Sequence, residues 1–600
     1  MTYRNAFRTF AAAAVLGGAA VAVQAPASAQ ADPNKVLRVA FEASDDGFNL
    51  TRVNSLYSNT LAEGVLEPLL GYDYLARPAT LIPNTAEALP EVTDNGKTYT
   101  FRLKKGIFFT PDEAFKGQKR ELTAADYAYV VRRHLDPAVR SVHAGTFRGK
   151  IVGMDALVEK AKTTGKYDYD TPIPGLEVVD RYTLRIRLND PDHTFVYQFT
   201  HPGTGAIARE VVEHYGEEKL GRHPVGTGPY MLKDYVPHSK IVLVANPDYR
   251  GFTWDFKSSG DPRDEEIIRQ MKGKKMPRIG RIEVNIIGEE QARWLAFDSK
   301  QLDFAELSPP ASPKVLDGDK LKPEFVARGV RLDRYVDVGT RYTFFNMKDP
   351  VLGGYSKEKI ALRRAIAMSY DYREDIRHAW YGQALKAQSM IPPGVAGHDP
   401  KYRTSIGYDP VLAAKLLDHF GYKKGADGWR TMPDGSPLVI KIHSDQKSRD
   451  VAKREVWKKS LDKLGIRVDF PISNFADNLK AAYRCEVPMW GLGGVMVSVP
   501  DGLEAFHDYY GPNAMSGNLS CYDSKEFNAA YDQARLLPDG PERNALFQKM
   551  QRIVEADTAA LVELWQIRNW IVHPWVQGFK RHPNIRADWK YIDIDTSKKN

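Results

Sequence analysis

The chain has 600 residues, of which 43% are hydrophobic and 27% are charged, which is the balance of a soluble globular protein with several domains. Its formal net charge of +8 is spread along the sequence, with only short basic runs such as Lys272 to Lys275. A nucleic-acid-binding surface concentrates its lysines and arginines on one face. The sequence therefore predicts no nucleic-acid partner.

The first 29 residues have the composition of an export signal. Arg4 and Arg8 precede an alanine-rich apolar run from Phe10 to Val23, and Ala27-Ser28-Ala29 forms a small-residue cleavage site. The run is shorter than the ~20 residues of a membrane-spanning helix, and no cysteine near the cleavage site could take a lipid. We therefore expect a cleavable signal peptide over residues 1–29 and a periplasmic protein without a lipid anchor.

Strands predominate among the elements predicted for the first half of the mature chain. The alternation of Val36 to Phe41 predicts a first strand, and Thr60 to Leu70 has the apolar spacing of a helix. Thr123 is placed to cap a helix that ends before Pro137. The other predicted elements are strands at 98–103, 281–287 and 302–305, hairpins over 176–188 and 230–245, and a short helix at 292–297.

Helices and strands alternate in the second half, which is typical of an α/β lobe. Tyr335 to Asn346 predicts a long strand at its start, and Leu561 to Trp565 predicts another near its end. Gly465 follows a predicted helix directly, at the position where glycine commonly ends helices. The remaining predicted elements are helices at 360–368, 410–420 and 451–464, a last helix capped by 539–543 and running to about 556, and strands at 438–443 and 466–470.

Four ordered segments resemble one known family. They are EPLLGYD with the following LIPNTAEALPEVTDNGKTYTFRLKKGIFF, then GTGPY with a hairpin and NPDYRG, then YVDVGTRYTFFN, and LRRAIAMSYDYREDI. In content and order they resemble the family 5 solute-binding proteins, the large extracytoplasmic receptors of peptide and related ABC importers. The resemblance covers about residues 36–590.

The resemblance implies an α/β, two-lobed periplasmic-binding-protein-like fold of the large peptide-receptor type. The expected boundaries are lobe 1 at 30–338, with an inserted β-rich subdomain at about 80–195, lobe 2 at 339–565, and a return to lobe 1 over 566–600. Two crossover strands would join the lobes. A monomer that delivers its ligand to the permease of an ABC importer is implied as well.

Catalytic signatures are missing from the sequence. It contains no G-x-S-x-G, no H-E-x-x-H, no P-loop and no paired C-x-x-C, so we expect a binding protein without a cofactor rather than an enzyme. Two alternatives stay open: an exported two-lobed hydrolase that would use Asp501 or Glu504, and an envelope sensor or chaperone with the same fold.

Four stretches would line the cleft between the lobes if the resemblance holds. They are 54–58, the crossover at 340–342, the segment 489–510, and Trp565. Arg341 could pair with a ligand carboxylate or phosphate. The residues predicted to contact the ligand are Asn54, Tyr57, Arg341, Tyr342, Trp490, Met496, Ser498, Asp501 and Trp565.

The segment from Met489 to Tyr510, predicted as a loop, departs from the peptide receptors of the family. Those receptors hold the peptide α-amino group with an aspartate a few residues before a Pro-Asp pair. Here the pair is Pro500-Asp501, and the aspartate's position falls on Met496 or Ser498. A blocked peptide, a non-peptide ligand, or an amine bound by Asp501 all remain open.

The mature chain contains two cysteines, Cys485 and Cys521. An even count in an exported protein favours a disulfide between them, and two separate thiols are the alternative.

Overall fold

The computed structural model describes residues 31–496, 499–515 and 517–599, with only the backbone described at 448 and 492–496. In these ranges no helix is long and apolar enough to cross a membrane. The helices are Leu56–Glu63, Ala124–Leu135, Ala144–Phe147, Met154–Thr164, Arg209–Leu220, Pro262–Met271, Glu290–Asp298, Ser312–Val315, Pro323–Ala327, Lys357–Ser369, Tyr372–His378, Pro410–His419, Ser448–Leu464, Phe475–Tyr483, Lys525–Arg535 and Pro541–Asp557.

A four-stranded sheet organises the first lobe. Its order is Asp32–Phe41, Ile279–Ile286, Lys240–Ala245 and Tyr230–Val236. The first two strands are parallel and the other neighbours are antiparallel. The C-terminal segment 575–594 packs into the same hydrophobic core, so the end of the chain lies against the lobe that its first strand begins.

A second four-stranded sheet, antiparallel throughout, lies in the segment predicted as an insertion. Its order is Glu91–Thr93, Thr98–Arg102, Thr183–Arg187 and Leu176–Asp180. The predicted helix start at Thr123 is confirmed, since its backbone N–H donates to the Asp126 carboxylate at 2.7 Å. The sheet shares a core with Ala124–Leu135 and Met154–Thr164, so this segment is both helical and β-stranded.

Two long antiparallel strands, Arg331–Phe345 and Ala560–Val572, run side by side through both halves of the molecule. Both predicted crossover segments are therefore confirmed as strands, and each is longer than predicted. Their register breaks between Val336 and Thr340. The same sheet also contains Phe304–Leu307 and Ala384–Lys386, both paired with the second strand, and Met489–Met496, paired with the first.

The second lobe contains the predicted strand–helix–strand unit. The strands Val439–Lys441 and Arg467–Asp469 pair with each other in parallel, and the helix Ser448–Leu464 lies between them in the sequence. Gly465 ends that helix in the left-handed region, with φ of 72°, as its position predicted.

A disulfide joins Cys485 to Cys521, with 6.1 Å between the Cα atoms, and this confirms the predicted bridge. The bridge links the turn before the strand Met489–Met496 to the segment before the helix Lys525–Arg535. The strand also corrects a prediction, because this part of 489–510 pairs with the first crossover strand and is not a loop.

The remaining strand pairs are short. They are Leu70–Tyr72 with Leu81–Pro83, Phe252–Thr253 with Lys275–Met276, Leu316–Asp317 with Lys320–Leu321, and Val576–Gln577 with Asp593–Ile594.

The glycines of the GTGPY segment allow a close backbone approach. The N–H of Gly228 donates to the carbonyl of Val65 at 2.9 Å. A Cβ at Gly226 or Gly228 would lie 2.1 or 2.6 Å from that carbonyl oxygen, so only glycine fits both places. This contact also explains why the helix predicted for 60–70 is wrong: it ends at Glu63, which frees the carbonyls of Gly64 and Val65 for the turn.

The family-like segments hold one another through one buried carboxylate, Glu67. Arg250 donates to its two oxygens at 2.6 and 2.9 Å, and the Thr227 hydroxyl donates at 2.9 Å. Glu67 belongs to EPLLGYD, Thr227 to GTGPY and Arg250 to NPDYRG. A bidentate, charge-assisted pair of this kind is among the stronger polar contacts in a protein. The motifs therefore mark the fold of lobe 1 and not the ligand.

Candidate functional site

A cavity of about 340 Å³ opens beside the crossover strands. Its walls come from the end of the first strand, the first turn of Leu56–Glu63, the strand Phe304–Leu307, the crossover strand Ala560–Val572 and the C-terminal segment 581–589. Small-molecule sites are concave spaces of this size that lie where structural units meet. The cavity is therefore the candidate binding site.

Aromatic rings form part of the cavity wall. Tyr57 packs on Phe41 with ring centroids 4.6 Å apart, and Phe304 packs on Trp570 at 5.9 Å. Burial and the nearby Glu42 carboxylate raise the pKa of Tyr57, so its hydroxyl stays protonated. Such rings provide large contact area at little conformational cost.

The charged residues of the cavity wall are four arginines and three carboxylates. Arg293 pairs with Glu42 at 3.4 Å, Arg568 pairs with Glu306 at 2.7 Å, and Arg581 pairs with Asp588. The fourth arginine, Arg586, has no ion pair and its guanidinium no hydrogen bond among the described residues. Each acid of the wall thus has a partner, and one cation is left over.

Arg341 lies on the first crossover strand and reaches the cavity through Gln566. Its guanidinium donates to the Gln566 side-chain oxygen at 2.7 Å, and Gln566 lines the cavity. Arg341 and Arg449 both stand over the ring of Trp380, 5.3 and 5.0 Å from its centroid. Burial lowers the pKa of Arg341 to about 9, and the positive charge of Arg449 contributes. Neither arginine has a carboxylate within ion-pair distance in the described ranges.

Three predicted contact residues are instead core residues of lobe 2. Tyr342 is 1% exposed, and its hydroxyl donates to Asp508 at 2.8 Å. Trp490 is packed against Phe475, with ring centroids 5.4 Å apart. The indole N–H of Trp565 donates to the Thr340 hydroxyl at 3.0 Å. All three are buried in one hydrophobic cluster and none lines the cavity, so their contact with a ligand stays a prediction.

Asp501 is also engaged inside the protein. Arg543 donates to its two carboxylate oxygens at 2.5 and 3.0 Å, and both side chains are at most 3% exposed. Burial raises the pKa of Asp501 and the positive charge of Arg543 opposes that rise. The predicted alternative, an amine held by Asp501, would have to displace this buried arginine from both oxygens.

The other predicted contacts lie outside the cavity or outside the described residues. Asn54 is exposed and accepts a hydrogen bond from Asn59 at 2.8 Å. Met496 is paired with Gly339 through its backbone, but its side chain is not among those described, and neither is Ser498. Of the predicted residues, Tyr57 lines the cavity and Arg341 is linked to it.

Sequence reasoning missed most of the cavity wall. Arg293, Glu306, Arg568 and Arg586 lie in four separate segments, and no motif joins them. The prediction of a return to lobe 1 over 566–600 was the one signal that could have directed attention to Arg568 and Arg586. No group of three or more histidine, cysteine, aspartate or glutamate side chains in the described ranges could hold a metal ion.

Two lobes joined by two crossover strands, with a cavity beside those strands, are the architecture of a solute-binding protein. The sequence profile of the bacterial extracellular solute-binding proteins, family 5 Middle, matches residues 80–517. The chain belongs to this family.

Relatives of known name match over most of their length. The Di/tripeptide-binding protein 2 of Pseudomonas aeruginosa is 25% identical over 591 residues, which cover 96% of this chain and 98% of the relative. The Heme-binding protein A of Haemophilus influenzae is 23% identical, with 82% of this chain and 80% of the relative covered.

Solved structures confirm the predicted two-lobed fold. The ABC transporter substrate binding protein CtaP from Listeria monocytogenes matches with a TM-score of 0.70 at 18% identity, over 94% of this chain and 100% of its own. The periplasmic binding protein DppA from Helicobacter pylori, in complex with the peptide STSA, matches with a TM-score of 0.68 at 19% identity, over 93% and 98%. The family consists of binding proteins, which favours the binding function over the hydrolase and sensor alternatives.

Proposed function

We propose that the protein captures a peptide or peptide-like small molecule in the cavity beside the crossover strands and delivers it to the permease of an ABC importer. The observation that carries this proposal is the cavity itself, built from lobe 1 and a crossover strand. The names of relatives, among them a Di/tripeptide-binding protein and a Dipeptide-binding protein, support the ligand class.

The crossover strands suit a hinge between the lobes. Their ladder is interrupted between Val336 and Thr340, where the register shifts. Rotation at an interrupted ladder disturbs fewer backbone hydrogen bonds than rotation within a continuous one, and hinges use a few such residues. Closure about this point would bury the ligand and present a new surface to the permease.

We assign two predicted residues to ligand contact. Tyr57 offers its ring and a protonated hydroxyl in the wall of the cavity. Arg341 offers a buried guanidinium without a carboxylate partner in the described ranges, next to Gln566. The other predicted contacts are not part of the proposed site, because they are engaged elsewhere or lie outside the described residues.

The remaining features of the proposal come from the sequence. They are a signal peptide over residues 1–29, a monomeric mature protein in the periplasm without a lipid anchor, and lobe boundaries near 338 and 565. Size-exclusion chromatography with light scattering and N-terminal sequencing of the exported protein test them directly.

The deciding experiment is native mass spectrometry of the protein purified from its own host, combined with thermal-shift assays on a peptide and metabolite panel. We expect a bound small molecule and a rise in melting temperature with the matching compound. Tyr57→Ala and Arg341→Gln should each lose that rise, and Arg148→Gln, at an exposed arginine of the inserted segment, should keep it. Ligand turnover, or the absence of any bound compound and any shift, would contradict the proposal.

A further inference from the structure

The unpaired arginine of the cavity wall indicates the chemical class of the ligand. Arg586 is partly buried; burial lowers the pKa of its guanidinium, the negative charge of Glu63 opposes that shift in part, and the positive charge of Arg581 adds to it. A buried charge without a counter-charge is costly, and the cost is relieved when an opposite charge binds. The question is whether the protein already provides that opposite charge.

The nearest carboxylate of the protein is occupied by other groups. Glu63 accepts hydrogen bonds from the backbone N–H groups of Arg586 and Ala587 at 2.8 and 3.3 Å, and Lys590 lies 3.4 Å from its other oxygen. Glu63 is not within ion-pair distance of the Arg586 guanidinium in the described residues. It therefore holds the backbone of the C-terminal segment and acts on the Arg586 guanidinium only through space, without a direct ion pair.

The other carboxylates of the wall are also engaged. Glu42, Glu306 and Asp588 each have an arginine partner of their own. A cationic group on the ligand would have to break one of these ion pairs to find a carboxylate. An anionic group could pair with the Arg586 guanidinium without breaking any of them. Arg341 donates to Gln566 and lies with Arg449 over the Trp380 ring, so the two add positive charge next to the cavity without adding a carboxylate. The excess of positive charge in and next to the cavity therefore favours an acidic ligand.

We infer that the ligand is an acid whose carboxylate is received by the guanidinium of Arg586 in the cavity wall. A guanidinium can donate two parallel N–H groups to the two oxygens of one carboxylate, which fixes orientation as well as charge. The aromatic rings of Tyr57 and Trp570 would then contact the rest of the molecule. The inference rests on the proposed binding function and narrows its ligand class to carboxylic acids.

The test compares pooled N-acetylated dipeptides as free acids with the same pool as C-terminal amides, so that only the carboxylate differs. Thermal shift and isothermal titration are measured on the full mature protein and on Arg586→Gln, with Arg148→Gln as the matched control. The acids should stabilise the parent protein and the control, and the amides should not. Loss of a charge-assisted pair should weaken acid binding to Arg586→Gln by roughly tenfold to a hundredfold.

Circular dichroism and the melting temperature without ligand establish that Arg586→Gln is folded. If it is not, Arg586→Lys replaces it; a lysine keeps the charge but lacks the planar fork, so weaker acid binding is again expected. Equal binding of acids and amides, or acid binding that the Arg586 variants leave unchanged, overturns the inference and leaves the binding function standing. Stabilisation by inorganic phosphate in place of the acids overturns the carboxylate assignment. No shift with any pool counts against the binding function itself, and the inference falls with it.

Discussion

The buried pair between Asp501 and Arg543 gives the sharpest prediction about the segment that sequence reasoning placed at the ligand. Replacing Asp501 by asparagine removes the charge and leaves Arg543 with the exposed Asp539 carboxylate at 2.6 Å and the Ala534 carbonyl at 3.0 Å. Breaking a fully buried ion pair costs about 3–5 kcal/mol. Because Asp539 still compensates part of the charge, we expect a loss near 3 kcal/mol in the free energy of unfolding.

Urea unfolding followed by tryptophan fluorescence and circular dichroism measures this loss. The matched control is Asp532→Asn, which breaks the pair with Arg535 at 3.2 Å, where both side chains are nearly half exposed. A surface pair of this kind contributes about 0–1 kcal/mol. A second substitution, Arg543→Met in the Asp501→Asn background, should recover part of the lost stability. It removes the buried positive charge that the first substitution leaves without its partner.

A ligand-binding measurement distinguishes the structural role of Asp501, which is to pair with Arg543, from the alternative that Asp501 binds an amine of the ligand. The Asp501→Asn protein should retain the compound that native mass spectrometry finds on the parent protein. Loss of that compound with unchanged stability would refute our reasoning and return Asp501 to the binding site.

Three further predictions concern stability. Gly228→Ala should cost about 2–4 kcal/mol in urea unfolding, since its Cβ would lie 2.6 Å from the Val65 carbonyl oxygen, whereas Gly145→Ala, with open space around it, should be near neutral; equal effects would contradict the close-approach argument. The Cys485→Ser and Cys521→Ser double variant should lose roughly 3–4 kcal/mol, the chain-entropy value for a separation of 36 residues, and an unchanged midpoint would show that the bridge does not constrain the unfolded chain. Burial lowers the pKa of His134 to about 3, so the folded protein keeps it neutral while the unfolded chain takes up a proton near pH 6.5. Stability should therefore fall as the pH drops below about 6.5, by about 2–3 kcal/mol at pH 4.5 from this residue alone, and His134→Gln should flatten the profile of melting temperature against pH.

Local patterns predicted the elements whose formation depends on neighbours in the chain. The helix at 124–135 was predicted from its cap, the helix before Gly465 from its terminal glycine, and both crossover strands from their apolar runs. The helix predicted at 60–70 failed because the carbonyls of Gly64 and Val65 bind the distant turn at Gly228. A tertiary hydrogen bond there replaces the helical ones, and no local pattern reports it.

The binding site was the least predictable part, and the aromatic residues show why. Tyr342, Trp490 and Trp565 are as suitable for a ligand as for a core, and only their burial in one cluster decides between the two. Tyr57 has the same chemistry and lies in the cavity wall. The two tyrosines, Tyr342 and Tyr57, are the same residue type, and only the packing around each decides whether its ring lies in the core or in the cavity wall.

The sequence by itself determined the family and the secondary structure of most segments, and it favoured the disulfide and a binding function. Tertiary structure alone decided which charges are satisfied. Asp501 meets Arg543 across 42 positions, Arg568 meets Glu306 across 262, and Arg586 meets no carboxylate in the described residues. Secondary structure follows from interactions over a few residues, while the partner of a buried charge is set by segments that only the folded chain brings together.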